Sequence, residues 1–451
     1  TKDQLLTIVS IEQARQWKKD RLVAEVETHG FDHFSRSPLY PDVLVTEYAD
    51  VLLYLSFLSF GELHADLALY TLRDLGIRPG NGWRATPSAR FSSVEEARSE
   101  FSFRWLTELL ELSGVEALPR ELRDRSGWPE AVGAGAVRAR ERFAWHLSEH
   151  YRAMGETESA IAVLEEEVSL RAIERRVRLV HAERGREAVQ PILENLLVDP
   201  PSSDVLLFAE DFWTRKFEGN RRSVVTEALR SARIIELDSR FRGAPEGGAA
   251  KYFEDEGAKV YRRENHLWLA LFGILFWEEI FGGEGAAIHS EFERIPKDLR
   301  EGPFYTRNEA AIERKLRLLR DEDPRALMEP TIDLYAGTPN GVFGWHPSIV
   351  PMVFGFLEAA KNSPGDVGRV LREIARDWDG CSYGFPDLLV VRDGIPSFIE
   401  IKTEGDSLSR KQLRQLALLS ESGFPAEVVR VKWSDGDGQT YVVVDVEATG
   451  G

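Results

Sequence analysis

A single cysteine in 451 residues, Cys381, excludes a disulfide framework and any zinc cluster built on several thiolates. Apolar runs never reach the ~18 residues of a membrane-spanning helix, and Thr1-Lys2-Asp3 opens no signal peptide. The expectation is a protein of the reducing cytoplasm that does not contact membrane. Positive charge is in deficit, with 57 Lys and Arg against 75 Asp and Glu, a net of -18. That balance excludes a generally basic coat for nucleic acid, because phosphate binding needs positive surface where the strand lies. Any DNA contact must be local. Lysine is the scarce cation, 12 against 45 arginines, and the arginine fork suits phosphate oxygens. No Gly-x-x-x-x-Gly-Lys loop occurs, so an ATPase motor is not expected. The nine histidines form no pair with an acid at zinc spacing, and His266 and His289 are expected on helix surfaces.

With 43% hydrophobic and 29% charged residues, the chain has the composition of a folded globular protein, and its length suits two to four domains. Residues 1–133 read as an α-helical N-terminal domain, with apolar runs at 51–60 and 67–75 and two helical patterns around Ser113-Gly114, a faint echo of small DNA-binding modules. From Val137 the text changes. Leu147, Tyr151, Gly155, Ala160 and Leu164 follow tetratricopeptide spacing, in which small residues let two antiparallel helices approach, so 134–203 reads as a tetratricopeptide-like helical region. One such repeat cannot bury its own faces and must lean on its neighbours. Asp199-Pro200-Pro201-Ser202-Ser203 is the expected linker into a third domain, 204–451. Between Arg215 and Arg242, eight basic residues face four acids, either a solvated face or a phosphate track.

Beyond Phe385 the pattern changes to short apolar runs. Residues 387–391, the turn Asp393-Gly394 and residues 397–402 read as a hairpin; a helix over 408–422 ends at Gly423, and strands follow at 427–433 and 441–446. This is the order of an α/β domain. Glu400 interrupts an apolar run, with Lys402 on its face and Ile401 on the opposite one. Spacing alone leaves two readings: an exposed Glu-Lys ladder, or a buried pair that must bind an ion or each other.

Gly384-Phe385-Pro386-Asp387, then Glu400-Ile401-Lys402, then 406–412 ending in Gln412, resembles the VRR-NUC branch of the PD-(D/E)XK nucleases. Upstream, Arg263-Glu264-Asn265-His266 leading into 271–278, with Phe304-Tyr305 and the 312–319 pattern, resembles the helix that opens the nuclease domain of the Fanconi-associated nuclease family. The likeness extends over about 137–446 and makes 204–451 the VRR-NUC nuclease domain.

The resemblance implies a multidomain architecture, with α-helical and tetratricopeptide-like regions ahead of an α/β PD-(D/E)XK domain. It implies Mg²⁺ or Mn²⁺ held by Asp387, Glu400, the Ile401 carbonyl and Glu264, with Lys402 acting on the attacking water, chemistry that phosphodiester hydrolysis independently requires. Gln412 would support the site or touch DNA. Arg138 and Arg142, four apart on one helix face, match by position the family's arginines for a 5′-terminal phosphate. Asp379, where relatives tend to carry a basic residue, is a departure from that pocket. The implied activity is cleavage of branched DNA at a 5′ flap, with 5′-3′ exonuclease trimming, in repair that includes interstrand crosslinks in a bacterial cytoplasm. A Holliday-junction resolvase and a helical scaffold with an idle nuclease domain are the alternatives.

Overall fold

Asp393 and Gly394 both adopt positive φ, 51° and 74°, the geometry that a two-residue hairpin loop needs to match the twist of its strands. Around this turn run β3 (Leu388–Arg392) and β4 (Ile395–Lys402), antiparallel from Arg392 opposite Ile395 to Leu388 opposite Ile399. The computed structural model describes residues 49–64, 67–77, 89–218, 229, 231–262, 265–282, 287–289 and 293–434. The expected strand at 441–446 lies outside them.

The hairpin sits inside a five-stranded mixed sheet of order β1-β5-β4-β3-β2. β5 (Ala426–Ser434) joins β4 in parallel, β1 (Arg233–Asp238) joins β5 in parallel, and β2 (Lys259–Arg262) pairs antiparallel with β3. The sequence reading has no strand at β1 or β2.

The chain divides into two units, residues 1–65 and 66–451. The described part of the first contains α1 (Ala49–Phe60), at the expected apolar run. The second begins with α2 (Ala68–Asp74) and continues into a helical region: α3 (Val94–Ser113), α4 (Ala134–Ala153), α5 (Thr157–Ala162), α6 (Leu170–Arg184), α7 (Arg186–Val198) and α8 (Ser203–Lys216). Ser93 caps α3, its hydroxyl accepting the Glu96 N–H, and Gly114 closes it at φ 76°. One hydrophobic cluster runs from Phe103 to Phe212 and so spans the boundaries expected at 133 and 203. The two prolines at 200–201 accordingly separate two helices of the same core. In the tetratricopeptide-like stretch Leu147, Ala160 and Leu164 are fully buried and the Ser148 hydroxyl donates to the Ala160 carbonyl, but α5 stops after six residues.

The half that carries the sheet is layered. Below the sheet, α9 (Pro245–Asp255) places Ala249, Ala250 and Phe253 against Leu388, Val390, Ile399, Ile401 and Val429. Above it lie α10 (His266–Leu275), α11 (Lys297–Glu301), α12 (Phe304–Asp321), α13 (Pro324–Tyr335), α14 (Ile349–Ala360), α15 (Val367–Arg376) and the short α16 (Trp378–Cys381), and α17 (Arg410–Glu421) links β4 to β5. Trp268 of α10 centres the upper core, with ring centroids 5.1 Å from Phe356, 5.6 Å from Phe398 and 5.9 Å from both Phe385 and Phe424. Such contacts add to the large apolar burial of each ring.

A two-pronged ion pair ties α15 to α12: Arg372 Nε and Nη2 lie 2.6 and 2.8 Å from the two Glu313 carboxylate oxygens, and the Tyr305 hydroxyl donates to Glu313 at 2.9 Å. The Arg372 hydrogen bonds hold the Glu313 carboxyl down from 4.5 to about 2. Stability from a lowered acid is complete above its unfolded value and is lost as pH falls toward the folded one. The melting-temperature gap between wild type and Arg372→Met should therefore close between about pH 5 and pH 2.5. At neutral pH the gap should correspond to ~1–2 kcal/mol, since the pair is partly solvated. A gap independent of pH would show that Arg372 acts through packing alone.

Candidate active site

The strand alternation of Ile399-Glu400-Ile401-Lys402 sends the isoleucines into the α9 layer and the charged pair to the opposite face. Glu400 is only 1% exposed, which removes the exposed-ladder reading. Its Oε1 lies 2.9 Å from Lys402 Nζ and accepts the Gln412 side-chain amide at 2.5 Å. A buried carboxylate held by a cation and a neutral donor is tolerated where an isolated one is not.

β3 begins opposite Ile399, so β4 runs on past its neighbour. Continuing the register one step brings Asp387 opposite Glu400. Asp387 Oδ2 accepts the Ile401 backbone N–H at 2.7 Å, standing in for the missing strand partner. Arg392 and Ile395 flank the tight turn, so alternate residues Ile395, Ser397, Ile399 and Ile401 direct both backbone groups toward the β3 edge. The Ile401 carbonyl therefore leaves β4 on the same open edge as the Asp387 carboxylate.

α17 holds both halves of this arrangement. Ser409 and Gln412 form a reciprocal cap: the Ser409 hydroxyl accepts the Gln412 N–H, and Gln412 Oε1 accepts the Ser409 N–H at 2.9 Å. Gln412 thus sits in the first turn, and its other amide atom is the one on Glu400. Three residues on, fully buried Gln415 donates to the carbonyls of Gly380 and Tyr383 at 2.8 and 3.2 Å, fixing the segment that leads to Asp387. Gly384, at φ 91°, crosses the start of α17 so closely that a Cβ would lie 3.0 Å from the Lys411 carbonyl carbon and 3.1 Å from the Gln412 nitrogen.

Glu264 lies outside the described residues. Its neighbour Asn265 accepts the Phe385 N–H at 3.0 Å, so the start of α10 is tied to the Asp387 segment. Asn265 and Gln415 escape a sequence reading because their partners are distant backbone groups; a glutamine on the buried side of α17, one turn from Leu419, is the only local signal.

Asp387, Glu400 and the Ile401 carbonyl are all hard oxygen donors, which suits Mg²⁺ or Mn²⁺. Among the described residues no group of three or more His, Cys, Asp or Glu side chains is disposed to hold a metal. Burial pushes the Cys381 thiol up to about 12, which makes it a packed thiol and no nucleophile. His266 begins α10 exposed at the helix surface, as expected, whereas half-buried His289 lies outside any helix.

Arg138 and Arg142 project from α4. Arg138 Nη1 is 3.5 Å from Asp379 of α16, and Lys411 Nζ lies 3.4 Å from the Asp379 main-chain oxygen, so two cations straddle this acidic position next to the helix that holds Glu400. Close to Arg138, burial raises the Glu301 carboxyl to about 7, against the pull of Lys297 and Arg138. Arg142 stands 3.9 Å from Glu111 and is largely exposed. Most of the basic run at 215–242 lies outside the described residues; within it Arg215 pairs with Asp211 and Arg233 with Glu427. The helical region and the sheet half meet through Arg410 on Glu174 at 2.8 Å and through Arg414, which reaches Asp204 at 3.3 Å and Asp377 at 2.7 Å.

Residues 352–433, which include β3, β4, α17 and nearly all of β5, match the VRR-NUC domain. A Fanconi-associated nuclease 1 homolog of Oryza sativa is 28% identical over 193 residues, covering 41% of this chain and 20% of the relative. The homolog from Pseudomonas aeruginosa is 27% identical over 197 residues, covering 43% of this chain and 34% of the relative. The chain thus matches the VRR-NUC domain and is similar to Fanconi-associated nuclease homologues. It spans about a fifth of the length of the plant relative and a third of the bacterial one. Its fold also matches a solved structure of paFAN1 bound to DNA with a one-nucleotide 5′ flap and a gap, with a TM-score of 0.70 at 21% identity over 97% of this chain and 82% of that one.

Proposed function

We propose that this VRR-NUC protein is a divalent-metal-dependent, structure-selective DNA nuclease. The observation that carries the reading is the junction of Asp387, Glu400 and the Ile401 carbonyl on the open edge of β4, with Lys402 on Glu400. Mg²⁺ or Mn²⁺, held there by these three groups and by Glu264, would supply charge to the phosphate and acidity to a water. The Lys402 ammonium, kept in place by Glu400, orients the attacking water and stabilises charge that develops on it. Gln412 fixes the Glu400 carboxylate, and the Asp387 carboxylate is pinned by the Ile401 N–H. The likeness to relatives named for nuclease activity, and to the fold of a protein solved on 5′-flap DNA, supports cutting near a 5′ flap with 5′-3′ trimming. The proposed setting is repair, interstrand crosslinks included, in a bacterial cytoplasm and at the nucleoid.

Labelled 5′-flap, 3′-flap, four-way-junction and single-stranded DNA, each incubated with Mg²⁺, Mn²⁺ or EDTA, test this directly. Metal-dependent cutting that favours the 5′ flap is the expected result. Paired symmetric cuts in the four-way junction would replace it with the resolvase alternative, and no cutting of any substrate would leave the scaffold.

A 5′-terminal phosphate must compete with Asp379 for Arg138 and, once ionised, with Glu301. It carries more charge than a bridging phosphate, so it is the anion able to do so. Replacing Arg138 and Arg142 together with alanine should cost a 5′-phosphorylated flap ~1–3 kcal/mol more in kcat/KM than the 5′-hydroxyl flap. An equal loss on both flaps would mean that the arginines track backbone without reading the terminus.

A further inference from the structure

Tyr383 stands apart from the other rings of the molecule. Among the described residues it is the only aromatic side chain that is mostly exposed, at 64%, while the rings near it, Trp268, Phe385 and Trp378, are packed in the core. The ring stands four residues ahead of Asp387, and an aromatic face set out in water is surface available for stacking.

The backbone that carries the ring is also fixed in place. Its carbonyl is taken by Gln415, and the next residue, Gly384, is wedged at φ 91° against the start of α17. Lys411 Nζ lies over the ring, 5.6 Å from its centroid, and the ring remains mostly exposed. Both neighbours belong to the helix whose Gln412 donates to Glu400. An exposed aromatic ring on an anchored backbone suits one kind of ligand surface above others: another flat π system. Where DNA is the substrate, that is an unpaired base, stacked without regard to its identity.

We propose that Tyr383 is a stacking platform for an unpaired nucleobase beside the scissile phosphate, a contact that favours DNA with a single-stranded segment over continuous duplex. The inference rests on the nuclease reading and deepens it by naming what distinguishes the substrate at the site.

The test measures binding to a 5′-flap DNA in EDTA, where cleavage cannot interfere, for wild type, Tyr383→Ala, Tyr383→Phe and Tyr383→Trp. Each is measured against the normal flap and against one with abasic sites at the junction-proximal flap positions. Stacking of one base should make Tyr383→Ala bind about five- to a hundredfold more weakly, with Phe and Trp near wild type. On the abasic flap the alanine variant and wild type should converge. A 2-aminopurine at the same flap position should be quenched by wild type and not by Tyr383→Ala. Equal affinity of the alanine variant, or the same loss on the abasic flap, would overturn the proposal. Because Tyr383 is exposed, unchanged melting temperatures are expected and separate lost contact from lost fold. Metal-dependent cleavage by wild type, measured alongside, keeps the two readings apart: if it is absent, the nuclease assignment fails, and if it is present with Tyr383→Ala unaffected, only the platform does.

Discussion

Asp387→Asn and Glu400→Gln should each lower phosphodiester cleavage by on the order of 10³ or more while leaving the fold intact. A metal ion at such a site supplies several kcal/mol of charge stabilisation, and each 1.36 kcal/mol is a factor of ten in rate. The amide variants are the discriminating choice because the structure gives both carboxylates a second duty. Asp387 accepts the Ile401 N–H, and an asparagine oxygen can keep that bond. Glu400 accepts from Lys402 and Gln412, and a glutamine oxygen can receive both donors. What the amides cannot supply is negative charge for a cation. Alanine variants should be equally inactive but less stable, Glu400→Ala more so, since it strands a lysine whose side chain is 12% exposed. Measuring cleavage of a labelled flap beside thermal unfolding separates the two effects. Wild-type cleavage by either amide variant would remove the metal role from that residue and, with it, the nuclease assignment.

The part of this site legible in the sequence is the part built by local rules. A two-residue Asp-Gly turn between short apolar runs sets the β3–β4 register, which puts Glu400 and Lys402 on one face with Asp387 opposite Glu400. The cap at Ser409 and Gln412 is likewise a local signature, and α17 lies within two residues of its expected bounds at each end. β1 and β2 were hidden for the opposite reason. Arg233–Asp238 and Lys259–Arg262 are short, bear charged residues at their ends, and become strands only because β5 and β3, far along the chain, offer edges to pair with. The helical boundaries were obscured by the same non-local physics. Prolines at 200–201 break a helix wherever they fall, but whether the next helix starts a new core depends on what Val205, Phe208 and Phe212 pack against, and they pack backward, onto the helices before them. Asn265 and Gln415 answer to backbone groups that no spacing rule connects to them.

Lys402→Ala should produce two losses that metal separates. Removing the ammonium takes the cationic partner from the Glu400 carboxylate, 1% exposed, and leaves it the neutral Gln412 amide. Breaking one side of a buried pair typically costs about 3–5 kcal/mol, so the metal-free variant should unfold at a clearly lower temperature than wild type. Saturating Mg²⁺ offers Glu400 a replacement cation and should recover most of that stability. Cleavage should stay low, by roughly 10²–10⁴, because a cation between the carboxylates does not reproduce a proton-bearing group beside the attacking water. Unfolding curves with and without Mg²⁺, set against single-turnover rates at saturating Mg²⁺, test both halves. If metal restores the rate together with the stability, Lys402 serves only to neutralise Glu400, and the water must be activated by another group. If metal restores neither, Glu400 does not face the cation, and the ligand set must be redrawn around Asp387.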